Sequence, residues 1–443
     1  MEPVKAKMTT TDKANDPITT TCSYWVPRKK RRCKMTANKG SQFCGAHAPA
    51  TATTSTSDEK SGEDAFEERI PCPLDHKHTV FKRKLAKHLT ICNARDQESS
   101  MPYIVKGVNS GEDLKETDEE LDKFNQIKMH ELADEEFYSL IDKVKELYDK
   151  HINSSIQELQ LEHDSLKEEL NRKDYGQETL RQLTQASSLL GILENNHQLT
   201  DVTSYVEFGA GKGQLAYYLA TALQDQRLSN SQVVLIDRMS LRHKKDNKLA
   251  NKEKVQRIRA DIADLKLSAL PELKKTQRTV AISKHLCGAA TDLTLRCLLS
   301  DEDVSSDYVL IALCCHHRCS WRSYVGRKFL QEAGIGPREF AILTKMVSWA
   351  VCGTGLSRER RKAMETAAFQ PTETTTQRLT RQEREQIGQQ CKRVLDYGRL
   401  EYLRSHGYQA ELKFYVSRDV TLENVVLLAR ATSSKLKSQN KCS

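Results

Sequence analysis

The run Ser204-Tyr205-Val206-Glu207-Phe208-Gly209-Ala210-Gly211-Lys212-Gly213-Gln214-Leu215-Ala216 constrains this chain more than any other stretch. Tyr205 to Phe208 reads as a short β-run, the loop after it carries glycine at every second position, and Gln214 to Ala220 reads as a helix with an apolar face. Glycine lets the backbone turn sharply and set its N–H groups against a ligand that a Cβ would push away, and a helix N-terminus adds partial positive charge. Strand, glycine loop and helix in that order predict an α/β sheet with a nucleotide-like ligand over the loop.

The spacing separates two kinds of ligand. A dinucleotide fingerprint is G-x-G-x-x-G, its third glycine packing helix on strand. Here the third glycine arrives one residue early, as Gly209, Gly211 and Gly213. With the acid Glu207, the pattern E-x-G-x-G-x-G resembles the first motif of the S-adenosylmethionine methyltransferases, in which an aminoacyl group lies over the glycines. On this motif alone an ordinary glycine turn or an NAD site stays open.

A length of 443 residues with 38% hydrophobic content allows two or three domains, with one sizeable core and polar appendages. No apolar run reaches about 18 residues, so no membrane span is expected, and Met1 to Thr21 is too polar for a signal peptide. An intracellular protein, nuclear or cytoplasmic or both, is the expectation. Its thirteen cysteines then read as thiols or metal ligands rather than disulfides. The formal charge of +9 points to an anionic partner.

Two segments carry metal-ligand spacing. In residues 19–48, Cys22, Cys33, Cys44 and His47 offer three thiolates and one imidazole, enough for a closed tetrahedral zinc site. Ten Lys/Arg against three Asp/Glu in Met1 to Ala48, many of them in Arg28 to Arg32, read as an import signal, a phosphate-binding patch or a solvated loop. The Ala, Thr, Ser and acid-rich residues 49–68 form a flexible linker by composition. In residues 70–94, Cys72, His78, His88 and Cys92 form a second zinc set, with Arg83 to Leu89 as a short helix presenting His88 and Cys92 one turn apart. His76 is a spare on the surface. That spacing matches the CHHC finger pattern of RNA-associated proteins. A unit so small gains its fold from the metal.

Residues 116–175 are charged and helix-favouring, with an apolar stripe at Phe137, Leu140, Ile141, Val144, Leu147 and Tyr148 that continues through Ile152, Ile156, Leu159, Leu166 and Leu170. A further helix over Gln182 to Gly191 is expected to roof the cleft. Within a catalytic domain at 176–432, strands at 232–236, 255–260, 279–283 and 308–313 alternate with helices as a doubly wound sheet requires. Asp237 ends the second strand, where an acid accepts hydrogen bonds from ribose hydroxyls. Asp261 ends the third, and Lys284 and His285 end the fourth. Segments 408–416 and 424–431 read as a terminal antiparallel hairpin, an arrangement that favours the methyltransferase reading over the dinucleotide one. Residues 433–443 are expected to be a disordered tail.

The order of CCCH finger, CHHC finger, E-F-G-A-G-K-G, S-K-H-L-C-G-x-A-T-D and A-L-C-C-H-H resembles the eukaryotic tRNA ribose 2′-O-methyltransferases that modify nucleotide 4 of the acceptor stem. The resemblance covers nearly the whole chain. Only the Thr/Glu/Arg-rich stretch 369–381 looks like a variable loop. The resemblance implies S-adenosylmethionine as cofactor, two structural zinc ions, tRNA as partner and methyl transfer to a ribose hydroxyl. Asp261 is where methyltransferases of this class commonly hold the adenine amine.

A ribose hydroxyl needs its proton accepted or its developing charge stabilised. Lys284, His285 and His316 compete for that role. The plainer alternatives are a phosphate contact for Lys284 and a strand-end hydrogen bond for His285. Asp292 orients Lys284 or serves only the first turn of its helix. Cys314, Cys315, His316, His317 and Cys319, with Cys287 near, offer a third metal set. Against it, Cys314 and Cys315, adjacent on a strand, point to opposite faces unless the chain bends. Duplex RNA is read by shape and phosphate, for which Arg28 to Arg32, Lys82 to Lys87 and Arg358 to Lys362 are candidates. Two other readings stay open: a non-catalytic RNA-binding adaptor with an inactive methyltransferase-like domain, and a methyltransferase with a protein acceptor.

Overall fold

The computed structural model describes residues 21–26, 31–33, 37, 42–43, 69–92, 101–111, 114–239, 241, 244–249, 251–299, 306–352 and 379–432. The chain divides into two units, Met1–Thr90 and Ile91–Ser443. The linker 49–68 and the tail 433–443 lie outside the described residues.

In the first unit, strands β1 (Trp25–Val26) and β2 (Arg31–Arg32) pair antiparallel between Cys22 and Cys33. The Cys33 N–H donates to the Tyr24 carbonyl at 2.8 Å, which closes the hairpin. A second hairpin, β3 (Arg69–Cys72) and β4 (Asp75–Phe81), leads through a 3-10 turn at Lys82–Lys84 into helix α1 (Leu85–Ile91). The Arg69 guanidinium lies 4.4 Å over the Phe81 ring, tying the strand ends together.

The second unit runs α2 (Asp118–Gln126), α3 (Asp134–His151), β5 (Gln157–Glu158), α4 (Lys167–Leu170), α5 (Gln177–Asn195), β6 (Thr203–Phe208), α6 (Gln214–Asp225), β7 (Gln232–Ile236), β8 (Val255–Ile258) and β9 (Arg278–Cys287). It continues with α7 (Ala289–Leu299), β10 (Tyr308–Cys314), α8 (Arg327–Glu332), α9 (Pro337–Met346), α10 (Trp349–Cys352), α11 (Arg381–Ser405), β11 (Tyr408–Phe414) and β12 (Val425–Ala431). Eight strands form one sheet in the order β5-β11-β12-β10-β9-β6-β7-β8. The five strands from β10 to β8 are parallel, and β12 pairs antiparallel with both β10 and β11.

Strand alternation decides what covers each face. Val206, Phe208, Val234, Ile236, Ala281, Val309 and Ile311 join one core with Leu295 and Leu298 of α7 and Leu400 and Leu403 of α11. Tyr205, Val233, Leu235, Val280, Ile282 and Leu310 join the other with Leu189 and Leu190 of α5 and Leu215 and Leu219 of α6. Both faces are buried, which is why these strands read as continuous apolar runs. Each fully buried Val, Leu, Ile or Phe among them contributes about 1.5–3 kcal/mol of transfer free energy.

The stripe at Leu140, Ile141, Val144 and Leu147 is buried in a third core with α9 and the first half of α11. Its continuation as a helix does not occur. The chain leaves α3 at Ile152, turns over residues 152–155 through a left-handed Ser154 into β5, which pairs with β11, and regains only the four α-helical residues of α4. The apolar spacing there reflects separate burials: Ile152 enters the helical core while Leu166 enters a face of the sheet. Residues 101–111, to which the sequence assigns no role, are stapled to the β8–β9 connection. Asn109 Nδ2 donates to the Ile262 and Leu265 carbonyls at 2.6 and 2.8 Å. No described helix is long and apolar enough to cross a membrane.

A buried charge network fixes α7, α11 and the turn after β10. Arg399 donates in a fork to Asp292 at 3.0 and 2.8 Å and reaches Asp396 at 3.3 Å, and Asp396 lies 2.5 Å from His316 Nε2. Burial alone would push Asp396 up, but the charges of His316, Arg393 and Arg399 outweigh it and hold the carboxyl at about 2. Asp292→Ala leaves Arg399 short of a carboxylate in the interior and is expected to cost about 3–5 kcal/mol in urea unfolding. Because the Asp396 pKa is depressed, its stabilisation is complete above the unfolded value of about 3.9 and is lost as pH falls through about 2. The stability gap between wild type and Asp396→Asn should therefore narrow steadily between those pH values, as read by denaturant midpoints.

Candidate active site

The carboxyl ends of β6, β7, β8 and β9 meet along one edge of the sheet, where ligands lie in open α/β folds. Gly209, Gly211 and Gly213 all adopt left-handed conformations, with φ of +64°, +52° and +69°. Around Gly211 an added Cβ would meet nothing closer than 3.9 Å, so the middle of the loop faces open space. At Gly213 it would lie 2.5 Å from Asp246 Oδ1 and 2.6 Å from Arg257 Nη2. Those two residues form the seat of the loop. Arg257 donates to both Asp246 oxygens at 3.0 and 2.7 Å and to the Gly211 carbonyl at 3.0 Å. Neither was a candidate from the sequence, because nothing local marks a lysine-rich turn and a mid-strand arginine as partners.

Glu207 is 3% exposed, and its carboxylate accepts the Ala216 N–H at 3.0 Å, bracing the first turn of α6. Burial pushes its pKa up to about 8 against the pull of that N–H and of Arg257 and Lys284. Asp237 accepts from Gly211 N–H and Met239 N–H, each at 2.8 Å, and so lies against the glycine loop. Asp261, at the end of the neighbouring strand, caps the following 3-10 turn through Ala263 N–H at 3.0 Å and remains part-exposed. The open loop centre and the two acceptor carboxylates suit a ligand carrying an aminoacyl group and a ribose.

The fourth parallel strand is longer than expected and does not end before Lys284. Ser283 pairs with Ile311 and Leu286 with Leu313, so β9 carries one extra residue at Lys284-His285, a bulge. The bulge brings both side chains to Gln182 of α5. Lys284 Nζ donates to the Gln182 carbonyl at 2.7 Å and lies 3.4 Å from Gln214 Oε1, while His285 Nε2 lies 3.1 Å from Gln182 Oε1. The expected roof helix therefore touches both candidate bases, a role for Gln182 that no motif announced. Burial lowers Lys284 to about 8, with Glu207 and Glu178 pulling it partly back.

His316 is placed elsewhere. It is 1% exposed, paired through Nε2 with Asp396, and its Nδ1 has no hydrogen-bond partner among the described residues. A base must reach the acceptor, so His316 leaves the contest. Asp292 neither orients Lys284 nor serves only a helix turn; it pairs with Arg399. Cys319 accepts from Arg399 at 3.1 Å. Cys287, Cys314 and Cys315 do converge, because the chain bends where a straight strand would have separated them.

Cys72 Sγ and His88 Nε2 stand 3.2 Å apart, and with Cys92 their ligand atoms lie within 4.8 Å of one another. His78 is on β4, its side chain outside the described residues. Of the first set, Cys22 is buried and Cys33 half-buried; Cys44 and His47 lie outside the described residues. So do residues 28–30 and 358–362. Lys82, Arg83, Lys84 and Lys87 of the second finger are exposed.

A parallel sheet closed by an antiparallel hairpin, with an alternate-glycine loop after its central strand and an acid at the end of the next, is the Rossmann-like methyltransferase fold. Residues 184–430 match the family described as "Methyltransferase TRM13", residues 20–48 a "CCCH zinc finger in TRM13 protein", and residues 69–93 a "U11-48K-like CHHC zinc finger". The chain belongs to the TRM13 methyltransferase family, and both small modules are zinc fingers. It is 33% identical to the mouse "tRNA:m(4)X modification enzyme TRM13 homolog", over 96% of this chain and 97% of that one. Identity to the human homolog is also 33%, over 92% and 94%. Against the Saccharomyces cerevisiae enzyme it is 32%, over 92% and 95%. Overlap with solved structures is slight. The plantazolicin methyltransferase BpumL, 12% identical, gives a TM-score of 0.29 over 68% of this chain and all of that one.

Gly213→Ala must carry both a left-handed alanine, which costs roughly 1–2 kcal/mol, and a methyl driven into the Asp246–Arg257 pair. Gly211→Ala carries only the first. Urea unfolding should show Gly213→Ala less stable than Gly211→Ala by about 1–3 kcal/mol. Equal stability would show that the pair does not seat the loop.

Proposed function

We propose that this chain transfers the methyl group of S-adenosylmethionine to the ribose 2′-hydroxyl of nucleotide 4 in the acceptor stem of tRNA. The observation that carries the reading is the β9 bulge, which sets a desolvated amine beside the glycine loop at the carboxyl edge of the sheet. The relatives are named as tRNA modification enzymes, and two zinc fingers with exposed cations suit a polyanionic acceptor better than a small molecule.

S-adenosylmethionine supplies an electrophilic sulfonium methyl when bound. The chain's own work is to hold and to deprotonate. The loop at Gly211 leaves room for the aminoacyl group, Asp237 offers acceptor oxygens for ribose hydroxyls, and Asp261 offers another beside it. Lys284, neutral once pH passes about 8, accepts the proton of the attacking hydroxyl. His285 beside it is exposed and contacts the same glutamine, which makes it a positioning residue for the acceptor. Arg83 and the lysines of the second finger contribute phosphate contacts that weaken with salt.

Purified protein incubated with methyl-labelled S-adenosylmethionine and unmodified tRNA should place label on a ribose at nucleotide 4. Asp237→Ala should lose cofactor binding by calorimetry. Lys284→Arg, which keeps the charge but cannot give up its proton, should lower kcat about 10²–10⁴-fold. In wild type, deprotonation of Lys284 makes kcat rise with pH up to about 8 and level off above it. Label on a base, or a full rate in Lys284→Arg, would overturn this reading.

A further inference from the structure

The ends of β9 and β10 hold chemistry that methyl transfer does not use. Cys287 is the parallel partner of Cys314, so both side chains leave the same face of the sheet, their Sγ atoms 3.9 Å apart. An extended residue after Cys314 would point to the opposite face. Cys315 instead adopts φ +51° and ψ +41°, and its Sγ comes within 3.3 Å of that of Cys287. All three sulfurs lie within 4.8 Å of one another, and all three residues are half-buried.

The turn is held from both sides. Arg318 N–H donates to the Cys315 carbonyl at 2.9 Å, and the Arg318 backbone packs so closely on Gly288 that a Cβ there would sit 2.4 Å from the Arg318 carbonyl carbon. A left-handed cysteine is a rare conformation for an L-residue and persists only where its surroundings over-determine it. Its effect here is to gather a third sulfur.

We propose that Cys287, Cys314 and Cys315 bind a third zinc ion, apart from the two fingers, with its fourth coordination position on the open side of the cluster. Tetrahedral zinc at about 2.3 Å from each sulfur sets the sulfurs about 3.8 Å apart. The two observed separations of 3.3 and 3.9 Å bracket that value. A disulfide would need about 2.05 Å. Thiolate donors select zinc and other soft ions over magnesium or calcium. Binding releases the thiol protons to solvent, so occupancy rises with pH. Three protein ligands with one position free is the pattern of a zinc that accepts a further ligand. The site stands independently of which acceptor is methylated.

Elemental analysis of the purified full-length chain tests the site. About three zinc ions per chain are expected, falling by about one in Cys287→Ser and in Cys315→Ser, with Cys72→Ser as the finger control. Thermal unfolding confirms that each variant is folded. A second readout needs no variant: in native protein Cys287, Cys314 and Cys315 should resist iodoacetamide and become alkylated after a zinc chelator is added, as mapped by peptide mass spectrometry. A wild-type content of about two zinc ions, equal alkylation before and after chelation, or a Cys287–Cys315 disulfide in the intact mass under non-reducing conditions would each overturn the proposal.

Discussion

The Arg257–Asp246 pair beneath the glycine loop is the contact on which the cleft depends. It occupies the space that a side chain at Gly213 would need, and its third hydrogen bond fixes the Gly211 carbonyl from below. The loop thereby keeps open space around Gly211, with the Asp237 carboxylate held against it by the Gly211 N–H. Arg257 is a residue of β8 and Asp246 of the connection before it, so the position of the loop after β6 is set by a strand two places away in the sheet. A pair of charges held this way costs desolvation, and its bidentate geometry offsets that cost while specifying one loop conformation.

A second set of charges does comparable work on the other side of β9. Arg399 joins α11 to α7 through Asp292 and reaches the Gly288 carbonyl at 3.4 Å, while Asp396 holds His316 at the end of β10. The half of α11 before the network packs in the helical core and the half after it packs on the sheet, so the network sits where two cores meet. That placement ties the ends of β9 and β10 to rigid helices rather than leaving them as free loops, and a site built on such ends keeps its geometry.

At those ends the chain departs twice from regular strand geometry. One extra residue in β9 turns Lys284 and His285 towards the same glutamine, and the left-handed Cys315 turns a sulfur back to the face it would have left. In a regular strand neighbouring side chains alternate between faces. Each departure brings together on one face groups that regular alternation would have divided.

The sequence by itself was enough for seven of the eight strands of the sheet, the glycine loop and the second finger. Periodicity of apolar residues and the positions of glycine, cysteine and histidine are local properties, and five of the strands and the terminal hairpin lie within a few residues of where that pattern puts them. It also placed Glu207, Asp237, Asp261, Lys284 and His285 at the carboxyl ends of the parallel strands, where the structure has them, since strand ends follow from strand identity. It misjudged the stretch from Ile152 to Leu170, where helical spacing arises from burial in two unrelated cores. It misjudged His316 and Asp292 because the partners that claim them, Asp396 and Arg399, are roughly eighty and a hundred residues away along the chain. The seat of the loop, the role of Gln182 and the meeting of three sulfurs were decided only by tertiary structure. Each depends on a long-range contact, a bulge register or a single backbone dihedral, none of which has a local signature in residue type.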